Sequence, residues 1–319
     1  LAVFWVETSF VITNSVALNQ SAEDSTKSRK VSWRDYLQLT KPTISMLVVV
    51  TAVPGFLLPF SDRLPSPLLA FAVLFGTWLA SASAAVFNHF VDADIDAFMT
   101  RTRARPLPSG RVSQKTAFAM ATLLGLVGFF LLYFVTTPLA AWISVAGNAF
   151  YVLIYTMYLK RRTAQNIVIG GASGAVGPLI GWAAATGELS LAAWVLFALI
   201  FLWTPPHFWA LALKYKEDYA RAKVPMMPVV KGDHSTRWQM FLYTVSLVPT
   251  VASLTWMGHA GLIYLIPSMA LTLWFCWLAW RLFRSKDNAA AMPLFHFSCF
   301  YLFGVFGALA VDRLIAVLG

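Results

Sequence analysis

The chain has 319 residues, of which 59% are hydrophobic and only 12% charged. A water-soluble domain carries about 25% charged residues, so the composition excludes a soluble enzyme and indicates a polytopic membrane protein. The net charge of +10 then reads as basic connections on one side of a bilayer, with no nucleic-acid partner implied.

Residues 1–32 form an N-terminal extension, and the transmembrane domain is placed at 33–319. The run "LAVFWVETSFVITNSVAL" carries Glu7 and has no basic residue before it, which argues against a signal peptide. The polar tract "NQSAEDSTKSRK" reads as disordered. From there on, apolar runs recur at the roughly 20 residues a bilayer-spanning helix needs. They lie at 43–60, 68–91, 116–135, 139–158, 166–186, 190–213, 239–257, 260–279 and 293–316. The fold class is therefore all-α, with about nine transmembrane helices. Short connections such as "TTP" and "TGELS" force antiparallel neighbours.

The basic residues test this count. Lys27, Arg29, Lys30, Arg34 and Lys41 precede the first span, and further Lys and Arg fall at 101–115, 160–162, 214–237 and 281–286, the last being Lys286. Those are alternate connections, and the other side keeps only Arg63 and Arg313. The asymmetry predicts a cytoplasmic N-terminus and an outside C-terminus. Cys276 and Cys299 lie in apolar runs without a ligand cluster and read as inert thiols.

Polar chemistry concentrates in two places. At the end of the second run, "NHFVDADIDAFMTRTRARPLPSG" sets Asn88, Asp92 and Asp96 at i, i+4 and i+8, so a helix presents them on one face while Asp94 points nearly opposite. Three oxygen donors in a row suit a hard cation such as Mg²⁺ that shares its shell with phosphate. Arg101, Arg103 and Arg105 behind them are phosphate donors. The bland alternative is a charged interface that merely obeys the basic-side rule. The second cluster follows the sixth run, in "FLWTPPHFWALALKYKEDYARAKVPMMP". Pro205 and Pro206 predict a kink or break there. On a continuing helix Lys214 would pair with Asp218, and Glu217 with Arg221. His207 reads equally as a packing residue or a ligand, and His89 lies off the acidic face.

These strings resemble the UbiA-type intramembrane prenyltransferases, from about Trp33 to the C-terminus: Asn-x3-Asp-x3-Asp, "RTRARPLPSG", "WTPPHFWALALKYKEDY" and "WRDYLQLTKPTISMLVVVTAVPG". "TPPHFW" and "YKEDY" point to the heme-using branch. The resemblance implies a helical bundle around a lipid-accessible cavity with a cytoplasmic active site. Its reaction would join the farnesyl group of farnesyl diphosphate to a vinyl group of heme b, a substrate and not a cofactor, giving heme O for terminal oxidases. It assigns Mg²⁺, with Mn²⁺ as a substitute, to Asn88, Asp92 and Asp96. Diphosphate would meet Arg101, Arg105, Lys41, Lys160, Arg161 and Lys214. Asp218 would stand in the second acidic motif, where the usual second Asp-x3-Asp is missing, and His207 would face the heme. Trp182, Trp203, Phe208 and Trp209 are candidates for cation–π stabilisation. The implied setting is a bacterial plasma membrane, or a mitochondrial inner membrane in a eukaryote, with lipid around it and a heme A synthase or terminal-oxidase assembly factors as partners. Two readings compete: the same fold with 4-hydroxybenzoate or another aromatic acceptor, and a cation or lipid transporter. Clustering of the acids at one membrane face disfavours the transporter.

Overall fold

The computed structural model describes residues 31–61, 64–285 and 287–318. The reading of residues 1–30, with Lys27, Arg29 and Lys30, lies outside them, as do Arg63 and Lys286. Among the described residues every regular element is helical. The chain is an integral membrane protein.

The first apolar run is a bent pair, α1 (Trp33–Leu39) and α2 (Pro42–Leu57), at 47° to each other. Next come α3 (Pro67–Val91), the short α4 (Ala93–Phe98) and α5 (Gln114–Val135). The fourth span is α6 (Pro138–Ala149), continued by a π-helix (Phe150–Tyr158) and a 3-10 turn (Leu159–Arg161). The fifth is divided into α7 (Asn166–Gly174) and α8 (Gly177–Thr186). Then follow α9 (Leu191–Lys214), α10 (Lys216–Arg221), α11 (Met227–Val230), α12 (Gly232–Trp256), α13 (Leu262–Arg284) and α14 (Ala291–Leu318). Seven spans are individually long and apolar enough to cross a membrane, and the α1–α2 pair makes an eighth. The seventh predicted run, in α12, has the length but is diluted by Thr244, Ser246, Thr250, Ser253 and Thr255.

Local chemistry starts these helices. Ser66, Ser113, Thr137 and Ser190 each accept a backbone N–H from the first turn of α3, α5, α6 and α9. Pro67 and Pro138 occupy first-turn positions where a missing N–H costs nothing. A break at a proline falls elsewhere than at Pro205 and Pro206. The span at 166–186 breaks before Pro178. At Pro205 and Pro206 the helix continues without a break to Lys214, and there the Thr204 hydroxyl donates to the Ile200 carbonyl at 2.7 Å.

In lipid, close backbone packing replaces the hydrophobic effect as the glue between helices. A Cβ on Gly181 of α8 would lie 2.3 Å from the Ala52 carbonyl of α2, and one on Gly55 would lie 2.3 Å from the Pro178 carbonyl. The ring of spans closes where α14 returns to α2. Polar bonds tie each end. At one, Lys41 reaches Asn88, Lys160 reaches Asp92, Thr100 reaches Asp218, and Asp233 bridges Lys216 and Asn288. At the other, Asp312 of α14 accepts from the backbone N–H of Gly261 and Tyr264 at the start of α13. Large apolar side chains such as Phe134 and Trp256 stand on the outside, where lipid is their solvent. Cys276 donates to the Thr244 carbonyl, and it forms no disulfide with Cys299.

Gly181→Val should overpack the α2–α8 contact and cost about 1–3 kcal/mol, lowering the melting temperature in detergent. Gly174→Val, with nothing within 4 Å of its Cβ, is the control; equal losses would refute the close-contact account.

Candidate active site

The acid face survives a change of helix. α3 ends at Asp92 and α4 begins after it, yet Asp92 N–H still donates to the Asn88 carbonyl (2.9 Å) and Asp96 N–H to the Asp92 carbonyl (2.8 Å). The i, i+4 register therefore passes through the junction. Asn88, Asp92 and Asp96 are 4%, 1% and 2% exposed. Asp94 faces out and takes two hydrogen bonds from the Arg161 guanidinium, at 2.7 and 2.8 Å. Those bonds hold its carboxyl below the usual carboxylate range.

Buried carboxylates require partners, and each comes from a different segment. Lys160 Nζ lies 2.5 Å from Asp92 Oδ2, and Arg105 lies 2.7 Å from Asp96 Oδ2. Lys41 Nζ donates to Asn88 Oδ1 at 2.5 Å. That turns the Asn88 amide so that its nitrogen donates to Asp92 Oδ2 (2.7 Å) and to the Thr156 hydroxyl (3.1 Å). Lys41 stands at the α1–α2 bend with φ 44°. A left-handed non-glycine residue costs of order 1–3 kcal/mol, which the surrounding bonds offset. Thr156 belongs to the π-helix and donates to the Tyr151 carbonyl. Such widened turns often sit at functional sites, and this one brings Thr156 to Asn88 and Lys160 to Asp92. Sequence reading missed Thr156, since nothing in "FYVLIYTMY" signals π-helical winding.

The second cluster differs from expectation. α9 ends at Lys214, and Tyr215 turns the chain into α10. The i, i+4 backbone bonds continue through Tyr215, yet among the described residues neither the Lys214–Asp218 nor the Glu217–Arg221 pair forms. Asp218 instead pairs with Arg221 and accepts from the Thr100 hydroxyl (3.3 Å), to which Arg221 also donates. Arg101 and Lys214 both stand 5.7 Å over the Tyr215 ring. Thr100 and Tyr215 thus join the two acidic segments, while Glu217 is exposed.

His207 lies on α9 seven residues before its end, about 10 Å along a helix axis. Its ring is stacked between Trp203 (4.3 Å) and Phe295 (4.6 Å), with Phe208 edge-on. Trp209 packs on Tyr243. Trp182 sits against His259 at the opposite end of the bundle, so it is corrected from the list of cation-stabilising candidates. His89, set aside from sequence, is only 1% exposed and neither ring nitrogen has a partner among the described residues.

Among the described residues no three His, Cys, Asp or Glu side chains gather into a closed metal site. The donors at Asn88, Asp92 and Asp96 nevertheless fit a hard cation that takes part of its shell from substrate oxygen. Asp92 Oδ1 is buried with no partner among the described residues, and an orphaned carboxylate oxygen is what such a cation uses.

Residues 48–305 match the UbiA prenyltransferase family. The chain belongs to that family. It is 46% identical over 294 residues to a protein of Gloeobacter violaceus named protoheme IX farnesyltransferase, covering 92% of this chain and 96% of that one. A protein of the same name from Alkalilimnicola ehrlichii is 48% identical over 288 residues, covering 90% and 95%. A solved structure of digeranylgeranylglyceryl phosphate synthase superposes with a TM-score of 0.73 at 20% identity, covering 90% of this chain and 99% of that one. A UbiA homologue from Archaeoglobus fulgidus bound to DMAPP and Mg²⁺ gives 0.66 at 16%, covering 87% and 99%. The two structures share the fold.

Asp92→Asn should weaken binding of inorganic diphosphate with Mg²⁺ by about 10- to 100-fold, the worth of a charge-assisted contact. Asp94→Asn, on the outer face, should change it less than about threefold. Calorimetry on purified protein compares them; equal losses would contradict the one-face geometry.

Proposed function

We propose that this chain transfers the farnesyl group of farnesyl diphosphate to a vinyl group of heme b, with addition of water, giving heme O. The carrying observation is the buried Asn88–Asp92–Asp96 face, within hydrogen-bond reach of Lys41, Lys160 and Arg105. The names of relatives similar over nine-tenths of both chains support heme as the acceptor.

Asn88, Asp92 and Asp96 would hold Mg²⁺, or Mn²⁺, which supplies charge neutralisation to the departing diphosphate. Lys41, Lys160 and Arg105 stand around the same acids and bind diphosphate oxygens. Arg101, Arg161 and Lys214 contribute from the rim. As the allylic C–O bond breaks, these groups take up the charge on the leaving oxygen. The bundle interior, lined by Trp203, Trp209 and Ile200, keeps water from the allylic cation. The vinyl group attacks that carbon and forms the C–C bond. Water adds to the vinyl carbon beside the porphyrin and loses a proton, leaving a hydroxyethylfarnesyl group. Asp218 and Arg221 link the second cluster to the first through Thr100, and His207 belongs to the acceptor side.

The alternation of basic connections along the sequence supports a cytoplasmic site and N-terminus and an outside C-terminus, in a bacterial plasma membrane or its mitochondrial counterpart. Heme O serves terminal oxidases, so contact with a heme A synthase or oxidase assembly factors is part of the same proposal.

Purified protein incubated with heme b, farnesyl diphosphate and Mg²⁺ should yield heme O by mass spectrometry, and EDTA should abolish it. A prenylated 4-hydroxybenzoate in a competition arm, without heme O, would reassign the acceptor.

A further inference from the structure

The His207 ring is held by one turn of α14. Its Nδ1 lies 2.7 Å from the Ser298 hydroxyl, and that hydroxyl lies 2.6 Å from the Phe295 carbonyl. A serine hydroxyl has one proton. A carbonyl can only accept, so the proton goes to Phe295 and the Ser298 oxygen accepts from Nδ1–H. Both contacts are kept only when His207 carries its proton on Nδ1, which assigns the tautomer from the hydrogen-bond network. Nε2 is then a bare lone pair.

The surroundings fix where that lone pair points. Trp203 and Phe295 lie nearly parallel to the imidazole on its two sides, at 21° and 26°. The Trp203 indole N–H donates to the Ser298 carbonyl at 2.8 Å. Ring rotation would break the Ser298 bond and both stacks together. His207 Nε2 has no hydrogen-bond partner among the described residues and, unlike both nitrogens of His89, is not fully sealed from the surface. His207 is 8% exposed. A ring clamped at Nδ1–H by an oxygen, with Nε2 free, is the usual form of a metal-ligating histidine.

We infer that Ser298 is a positioning residue that holds His207 as the Nδ1–H tautomer, so that Nε2 binds the iron of the acceptor heme as an axial ligand. The inference rests on the reading of heme b as acceptor. Iron ligation anchors the porphyrin at α9 and α14, and the vinyl edge is left to meet the prenyl group. Ser298 itself touches no substrate.

The test uses full-length protein in detergent with ferric heme b alone, without farnesyl diphosphate or Mg²⁺. Wild type should show an imidazole-ligated Soret band and, after ¹⁵N-histidine labelling, a nitrogen coupling to iron by pulsed EPR. His207→Ala should lose both signatures and regain the band with added imidazole. Ser298→Ala should raise the Kd for heme by about 10- to 100-fold, the usual effect of removing the group behind a ligating histidine. Ser298→Thr, which keeps the hydroxyl, should restore it to within about threefold. The pulsed EPR arm needs no variant, so it decides the matter even where Ser298→Ala fails to fold. Wild type that makes heme O but shows no histidine nitrogen on iron would overturn the ligation and leave the function standing. Wild type that neither binds heme nor makes heme O would overturn both. An unchanged Kd in folded Ser298→Ala would remove Ser298 from the account.

Discussion

Two carboxylates buried at the end of a membrane helix dominate the architecture around them. Asp92 and Asp96 are almost sealed from solvent, and an uncompensated charge there would cost several kcal/mol. Each is compensated by a cation from elsewhere in the chain: Lys160 after the π-helix, and Arg105 from the connection to α5. Lys41, reaching Asn88 from the first span, completes the ring. Three loops are thereby tied to one helix face. Under the proposed function the cations that let the acids be buried would also meet the diphosphate, so folding and anion binding would draw on one set of contacts.

The rest of the bundle supports this arrangement. Gly55 and Gly181 let α2 and α8 touch backbone to backbone, which sets the first span, and Lys41 above it, against the fifth. The π-helical turn before Lys160 shifts the register of the fourth span, so that Thr156 and Lys160 converge on Asn88 and Asp92. On the far side of the acid cluster, Thr100 connects to Asp218 and Arg221, holding the connection after α4 against the end of α9. Strain at Lys41 is tolerated because hydrogen bonds on both sides of the bend determine its position.

The two buried histidines illustrate how environment separates residues of one type. His89 lies among Lys41, Arg105 and Lys160, whose charges bear on its ring, with no partner for either nitrogen. His207 lies in an aromatic stack with one nitrogen committed to Ser298. Their helix positions alone carry no such distinction.

Composition, apolar run length and the alternation of basic connections determined an all-α membrane bundle, and the i, i+4, i+8 spacing determined that Asn88, Asp92 and Asp96 share a face. Those properties are local or additive, because helix periodicity and hydropathy need no knowledge of neighbours. Tertiary structure alone decided which cation meets which acid. Lys214 was the sequence neighbour of Asp218, yet in the folded chain Asp218 pairs with Arg221 and Thr100. It also decided that the helix continues through Pro205 and Pro206 but breaks before Pro178, although all three prolines are buried. Thr156 and Ser298 could not be read from sequence either. A threonine or serine in an apolar run is unremarkable until folding sets it 3.1 Å from a buried amide or 2.7 Å from an imidazole. Hydrogen bonds between residues 68 or 91 positions apart leave no trace in local pattern, because their geometry exists only once the helices have packed.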